Sequence, residues 1–171
     1  MLIPHVSKND HVQGNSTAQI ELVEYGDYQC PHCGKAYTIV KYIQSELGDS
    51  LKFVFRNFPL KKVHPLAMTA AIASEAAGLQ GRFWEMHDLL FENQIKLTPN
   101  NILIFAERMG LEMADFKNDL TSHELESKVL SDFESGLRSG VNATPTFFIN
   151  GDKYEGDWTS KEFIAFLLNV A

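Results

Sequence analysis

Basic residues are the minority in this chain: 15 Lys and Arg stand against 22 Asp and Glu in 171 residues, for a formal net charge of -7. No basic cluster stands out, which argues against nucleic acid as a partner. Long apolar runs are missing too, so no segment approaches the ~20 residues of a membrane-spanning helix. The opening Met1-Leu2-Ile3-Pro4-His5 turns polar at once. It lacks the basic start and apolar core of a secretory signal, so the expected location is cytoplasmic, with the periplasm as the alternative if a signal has been removed. No internal repeat is evident. Cysteine is scarcest of all, with only Cys30 and Cys33 present. That excludes a framework of structural disulfides. The rest, 44% hydrophobic and 22% charged, is ordinary globular material for one domain or one domain with an insertion.

What is there is organised around Tyr25-Gly26-Asp27-Tyr28-Gln29-Cys30-Pro31-His32-Cys33-Gly34. Before it, the apolar-rich run from Gln19 to Tyr25 has the pattern of a buried strand. After it, Ala36, Val40, Ile43 and Leu47 recur at helical spacing, and Gly48 supplies a stop. With Cys30 as N-cap, Pro31 falls at the first helical position, where its fixed φ and missing N–H cost nothing. The Cys30 sulfur then faces the free N–H groups of His32 and Cys33 at the positive end of the helix, which favours a thiolate. His32, if protonated or donating, adds a second stabilising contribution. Cys33 lies one turn on and on the same face, within reach of a disulfide. Cys30 is therefore the expected nucleophile and Cys33 the resolving thiol. A drop of about three units in the Cys30 pKa favours the reduced form by about 2 kcal/mol at pH 7, which raises the reduction potential by roughly 40–50 mV.

Two plainer readings compete. Half a zinc site needs two further ligands, and His5, His11, His64, His87 and His123 are scattered singly with no second Cys pair. No metal or other cofactor is expected. A structural disulfide across so short a loop would constrain little of the unfolded chain. Redox chemistry is the stronger reading.

Along the chain, residues 1–18 read as a polar arm. Leu51 to Phe58 is a second core strand, and strand–helix–strand implies a parallel βαβ unit. From Pro59 to Gly140 the pattern is helical: Pro65 to Ala77 stopped by Gly78, then Phe83, Met86 and Leu90, then a helix opened by Thr98-Pro99 and ended by Gly110. A short helix with Phe116 and Leu120 follows, then one capped by Ser122 that presents Leu125, Val129, Phe133 and Leu137. Thr146 to Ile149 runs into the hairpin signal Asn150-Gly151, with Asp152 to Glu155 pairing back. Thr159-Ser160-Lys161-Glu162 reads as a capping box for a last helix with Phe163, Phe166, Leu167 and Val170 on one face. The expected class is α/β, with a helical block inserted into a small mixed sheet.

From about residue 10 onward the sequence resembles the thioredoxin-fold disulfide oxidoreductases of the DsbA type. The likeness rests on Glu24 to Cys33, on the helical insertion, and on Gly140-Val141-Asn142-Ala143-Thr144-Pro145-Thr146-Phe147-Phe148-Ile149-Asn150-Gly151. The Pro-His pair between the cysteines matches oxidising DsbA rather than the Gly-Pro of thioredoxins. With Gly81-Arg82-Phe83-Trp84-Glu85-Met86-His87 included, the pattern is most similar to a subgroup found as stand-alone proteins and as domains fused to sodium/proton antiporters. The resemblance implies a thioredoxin fold (βαβ…ββα) over 19–60 and 141–171, with an inserted helical subdomain at 61–140. It implies that Pro145 is a cis-proline facing the cysteines, and that the Thr144 backbone pairs with an extended substrate strand. It places Glu24 as a buried acid beneath Cys33 that takes its proton, where the plainer alternative is an exposed strand residue. Protein or peptide thiols and disulfides are the implied substrates, with a redox partner for recycling. The rival is a non-catalytic module whose disulfide state gates binding to a partner such as a membrane transporter.

Overall fold

The computed structural model describes residues 1–170. Strands β1 (His11–Gly14), β2 (Ile20–Gly26), β3 (Leu51–Asn57), β4 (Thr146–Ile149) and β5 (Asp152–Lys153) form one sheet in the order β1-β3-β2-β4-β5. β2 and β3 are parallel and the other pairs antiparallel. Helix α1 (Pro31–Leu47) makes the crossover between the parallel strands. Five helices lie between β3 and β4: α2 (Ala67–Leu79), α3 (Phe83–Glu92), α4 (Pro99–Arg108), α5 (Met113–Asp119) and α6 (His123–Arg138); α7 (Lys161–Asn169) closes the chain. The two-residue period of the strands sorts two cores. Ile20, Leu22, Phe53, Phe55, Phe147 and Ile149 join residues of all seven helices in the larger one, and Val23, Tyr25, Val54 and Phe148 meet Leu2, Phe58 and Val141 in the other. Glu24 shares the parity of Leu22, so it enters the larger core.

Several local expectations need correction. Part of the polar arm is an edge strand: His11–Gly14 pairs antiparallel with β3. Gly78 does not end α2; it lies inside the helix, where a Cβ would come within 3.1 Å of the His11 ring. The reversal falls to Gly81, whose φ of 74° suits only glycine comfortably. Leu137 is 55% exposed, and Asp132, Ser135 and Gly136 take the inner face at that end of α6. The last helix has Ser160 as N-cap, one residue later than the capping box requires, and neither Thr159 nor Ser160 caps it through a side chain. Both are drawn instead to Asp157. Of its apolar face only Phe163 and Leu167 are buried, while Phe166 stays 45% exposed. The Asn150-Gly151 turn has both residues at positive φ, 50° and 87°, as a type I′ hairpin turn requires.

Candidate active site

Strand β2 delivers the chain to the sheet's C-terminal edge, and the turn Asp27 to Gln29 hands it to α1 with Cys30 at the N-cap and Pro31 first in the helix. Both cysteines are reduced thiols; Cys30 is 4% exposed and Cys33 fully buried. Their environments drive the two sulfurs in opposite directions. The Cys33 thiol, donating to Cys30, is the largest influence that brings the Cys30 pKa down to about 5; burial opposes it, and the Thr144 side chain and the backbone N–H groups of Cys33 and His32 add to it. Cys33 goes well above its ordinary range, first through burial, then through the bond it donates, then through the negative charge of Glu24 and Cys30. The Cys33 thiol is thus the largest single influence, and the two N–H groups of the helix start add to it. Cys30 makes no full N-cap hydrogen bond, and what His32 contributes is its backbone N–H. The His32 ring is exposed.

The loop before β4 faces Cys30. The Thr144–Pro145 peptide is cis, and the Cys30 thiol donates to the Thr144 carbonyl at 3.5 Å. Thr144 Oγ1 is buried and unpaired beside the thiol form, and its hydroxyl is placed to donate once the sulfur ionises. Beneath the pair, Glu24 is 2% exposed with Oε1 unpaired. Burial, with the Cys30 charge second, pushes its pKa up to about 8. The exposed-strand alternative for Glu24 does not hold.

Three residues outside the expected set grip the turn. Asp27 accepts the Gln29 N–H at 2.7 Å, the Leu60 N–H at 2.8 Å and the His64 Nδ1–H at 2.8 Å. Gln94, between α3 and α4, donates Nε2–H to the carbonyls of Tyr28 and Cys30 at 2.9 and 2.8 Å. Gly34 makes room for it, since a Cβ there would collide with Gln94 Oε1. Asp27 carried a readable signal, as a turn residue binding the N–H two positions on. His64 and Gln94 carried none, because they reach the turn across 37 and 64 residues of chain. His87 is a core residue, its Nδ1 paired with the Tyr28 hydroxyl at 3.1 Å inside a cage that includes Phe55, Trp84 and Phe91.

This sheet, with a dithiol at a helix start and the Thr144–Pro145 loop across from it, is that of a DsbA-like thioredoxin-fold protein. A sequence profile described as thioredoxin matches residues 6–169, and the chain belongs to that family. Among solved structures it is similar to oxidised BdbD from Bacillus subtilis, at 29% identity with a TM-score of 0.80, covering 95% of this chain and 94% of that one. It is also similar to alpha-DsbA2, a thiol-disulfide exchange protein from Wolbachia pipientis, at 17% identity, TM-score 0.83, and 96% and 89% coverage. The relatives by sequence carry a different name. The chain is 40% identical over 158 residues to a Na(+)/H(+) antiporter NhaA 1 of Salinispora arenicola, covering 92% of this chain and 24% of that protein. It is also 40% identical over 168 residues to one of Mycolicibacterium gilvum, covering 96% and 27%. The chain thus spans about a quarter of the length of these curated relatives. Among the described residues no helix is long and apolar enough to cross a membrane.

Proposed function

We propose that the chain is a thiol-disulfide oxidoreductase acting on protein thiols and disulfides, with Cys30 as nucleophile and Cys33 as resolving thiol. The observation that carries this reading is the split between two touching sulfurs, one drawn down to about 5 and the other held well above the thiol range. One is a thiolate at neutral pH and the other keeps its proton until it is needed.

In the oxidising direction a substrate thiolate attacks Cys30 of the Cys30–Cys33 disulfide. The S–S bond breaks and its electron pair goes to Cys33, which takes a proton relayed by water from Glu24, an acid still protonated below about pH 8. A second substrate thiolate then attacks the substrate sulfur of the mixed disulfide, and Cys30 leaves as thiolate. The substrate loses two electrons and the protein becomes the dithiol. The reverse direction runs the same steps backwards, with Cys33 returning its proton to Glu24. Thr144 and Pro145 line the approach, where the Thr144 backbone offers an extended substrate strand a pairing edge. The compartment sets the net direction and the partner that recycles the pair: oxidase in an oxidising space, reductase in the cytoplasm.

The test is substitution at each sulfur with a protein disulfide as substrate. Cys30→Ser should abolish exchange, and Cys33→Ser should trap mixed disulfides through Cys30. A Cys33→Ser variant that traps nothing contradicts the division of labour. A second reading is favoured by the antiporter-named relatives: a redox module whose disulfide state gates a partner. Multiple turnovers with a model disulfide support the enzyme, and a single slow oxidation without turnover supports the switch.

A further inference from the structure

Asp27 bonds to both cysteines through its backbone, to the Cys30 N–H and to the Cys33 sulfur, while its side chain is locked. Its carbonyl accepts the Cys30 N–H at 3.1 Å, and its own N–H donates to the Cys33 Sγ at 3.4 Å. Its carboxylate, 0% exposed, is held by Gln29, Leu60 and His64. A buried carboxylate needs such donors, and here two of the three come from the single loop 60–64. Gln29 adds a further tie to that segment, accepting the Leu66 N–H through Oε1 at 2.7 Å. The loop between β3 and α2 therefore fixes where the Asp27 N–H points.

We propose that Asp27, clamped by His64, is a positioning residue for the resolving sulfur: it aims its backbone N–H at Cys33 and so supports the Cys33 thiolate. The inference rests on the thiol-exchange reading and adds to it. Cys33 must become a thiolate as attacker or as leaving group. Its sulfur is buried, which opposes that state, whereas the Asp27 N–H favours it. Loosening the clamp should slow the step that uses the Cys33 thiolate and spare the step that uses Cys30.

Oxidised glutathione separates the two steps. The Cys30 thiolate attacks it, releasing one glutathione thiolate and leaving a Cys30–glutathione disulfide. Cys33 then gives up its proton and attacks the Cys30 sulfur, releasing the second glutathione thiolate and forming Cys30–Cys33. Acid-quenched mass spectrometry on the full chain times both. His64→Ala should slow the second release about three- to tenfold, the share of one hydrogen bond. The first release and the alkylation rate of Cys30 by iodoacetamide should change less than about twofold, since neither uses the Cys33 thiolate. His64→Asn, whose Nδ2 can replace the Nδ1 donor, should restore resolution. Asp27→Asn should reproduce the slowing in protein whose near-ultraviolet circular dichroism matches the parent. Unchanged resolution in His64→Ala overturns the inference. So does equal slowing of both phases, or a His64→Asn variant no better than His64→Ala. If the parent protein itself forms no mixed disulfide, the thiol-exchange reading fails and this inference with it.

Discussion

Glu24 is held between Phe55 on one neighbouring strand and Phe147 on the other. At pH 7 its unfolded-state carboxyl, with an ordinary pKa of 4.5, is ionised, while the folded one, near 8, is mostly protonated. The roughly 2.5 pH units between the unfolded value and pH 7 cost the fold about 3 kcal/mol at that pH. The sign follows from a raised folded value: the stability is intact below about 4.5 and is lost progressively as pH rises through about 8. Glu24→Gln should therefore stabilise the reduced protein by about 2–3 kcal/mol at pH 7. The difference from the parent should vanish near pH 4 and level off above about pH 8. Urea unfolding of both proteins across that range checks it, and a flat difference contradicts the buried-acid account. Cys30 has the opposite sign. Its lowered pKa favours the folded dithiol above the ordinary thiol value, and that gain fades as pH falls through about 5. At pH 7 this is about 3 kcal/mol, raising the reduction potential by roughly 60 mV. The cysteines and Pro31 were legible because they are contiguous and their spacing states their geometry. That the Cys33 thiol donates to Cys30 was not, because it depends on how two side chains turn toward each other.

At the scale of elements, α1 is where the fold converges. The turn that enters it is gripped by Asp27 from the strand side and by Gln94 from the helical side. Gly34 lies in the helix interior, where Ala ordinarily stabilises by about 0.5–1 kcal/mol. Here the sign should reverse. Gly34→Ala drives Gln94 off two carbonyls and should destabilise by about 1–3 kcal/mol in urea melts. A neutral or stabilising result would remove Gln94 from the clamp. The strands with apolar runs and the helices with caps were readable from pattern: Thr98 accepts the Asn101 N–H at 3.1 Å, as an N-cap should. Strand β1 was not, because His-Val-Gln-Gly has no alternation to read; it is held by pairing with β3. Gly78 meets a close approach of the His11 ring rather than a positive φ. Sequence pattern does not distinguish the two.

For the whole molecule, the N-terminal segment is a fastening rather than a tail. Leu2 is buried with its N–H on the Gly151 carbonyl at 2.7 Å. Arg56, in β3, gathers the Pro4 and His5 carbonyls, the Tyr25 hydroxyl and both oxygens of Asp10. The side chains of Asp10 and Arg56 are 6% and 3% exposed, so removing one partner strands a buried charge. Asp10→Ala should cost about 3–5 kcal/mol, read by urea unfolding, and a loss below about 1 kcal/mol contradicts the fastening. Burial alone would raise the Asp10 pKa, but the Arg56 hydrogen bond and charge bring it below the ordinary range. The pair's contribution is thus present at neutral pH and lost in acid. None of this was visible beforehand, because Asp10 and Arg56 meet across 46 residues.

The account stands on the Cys30 thiolate, and its titration is the most direct test. The rate of Cys30 alkylation by iodoacetamide, measured from pH 3 to 10 on reduced protein, should rise with a single midpoint near 5 while Cys33 stays unmodified. A midpoint near the ordinary thiol value of 9.0, or modification of both cysteines together, would contradict the split between the two sulfurs and the mechanism built on it.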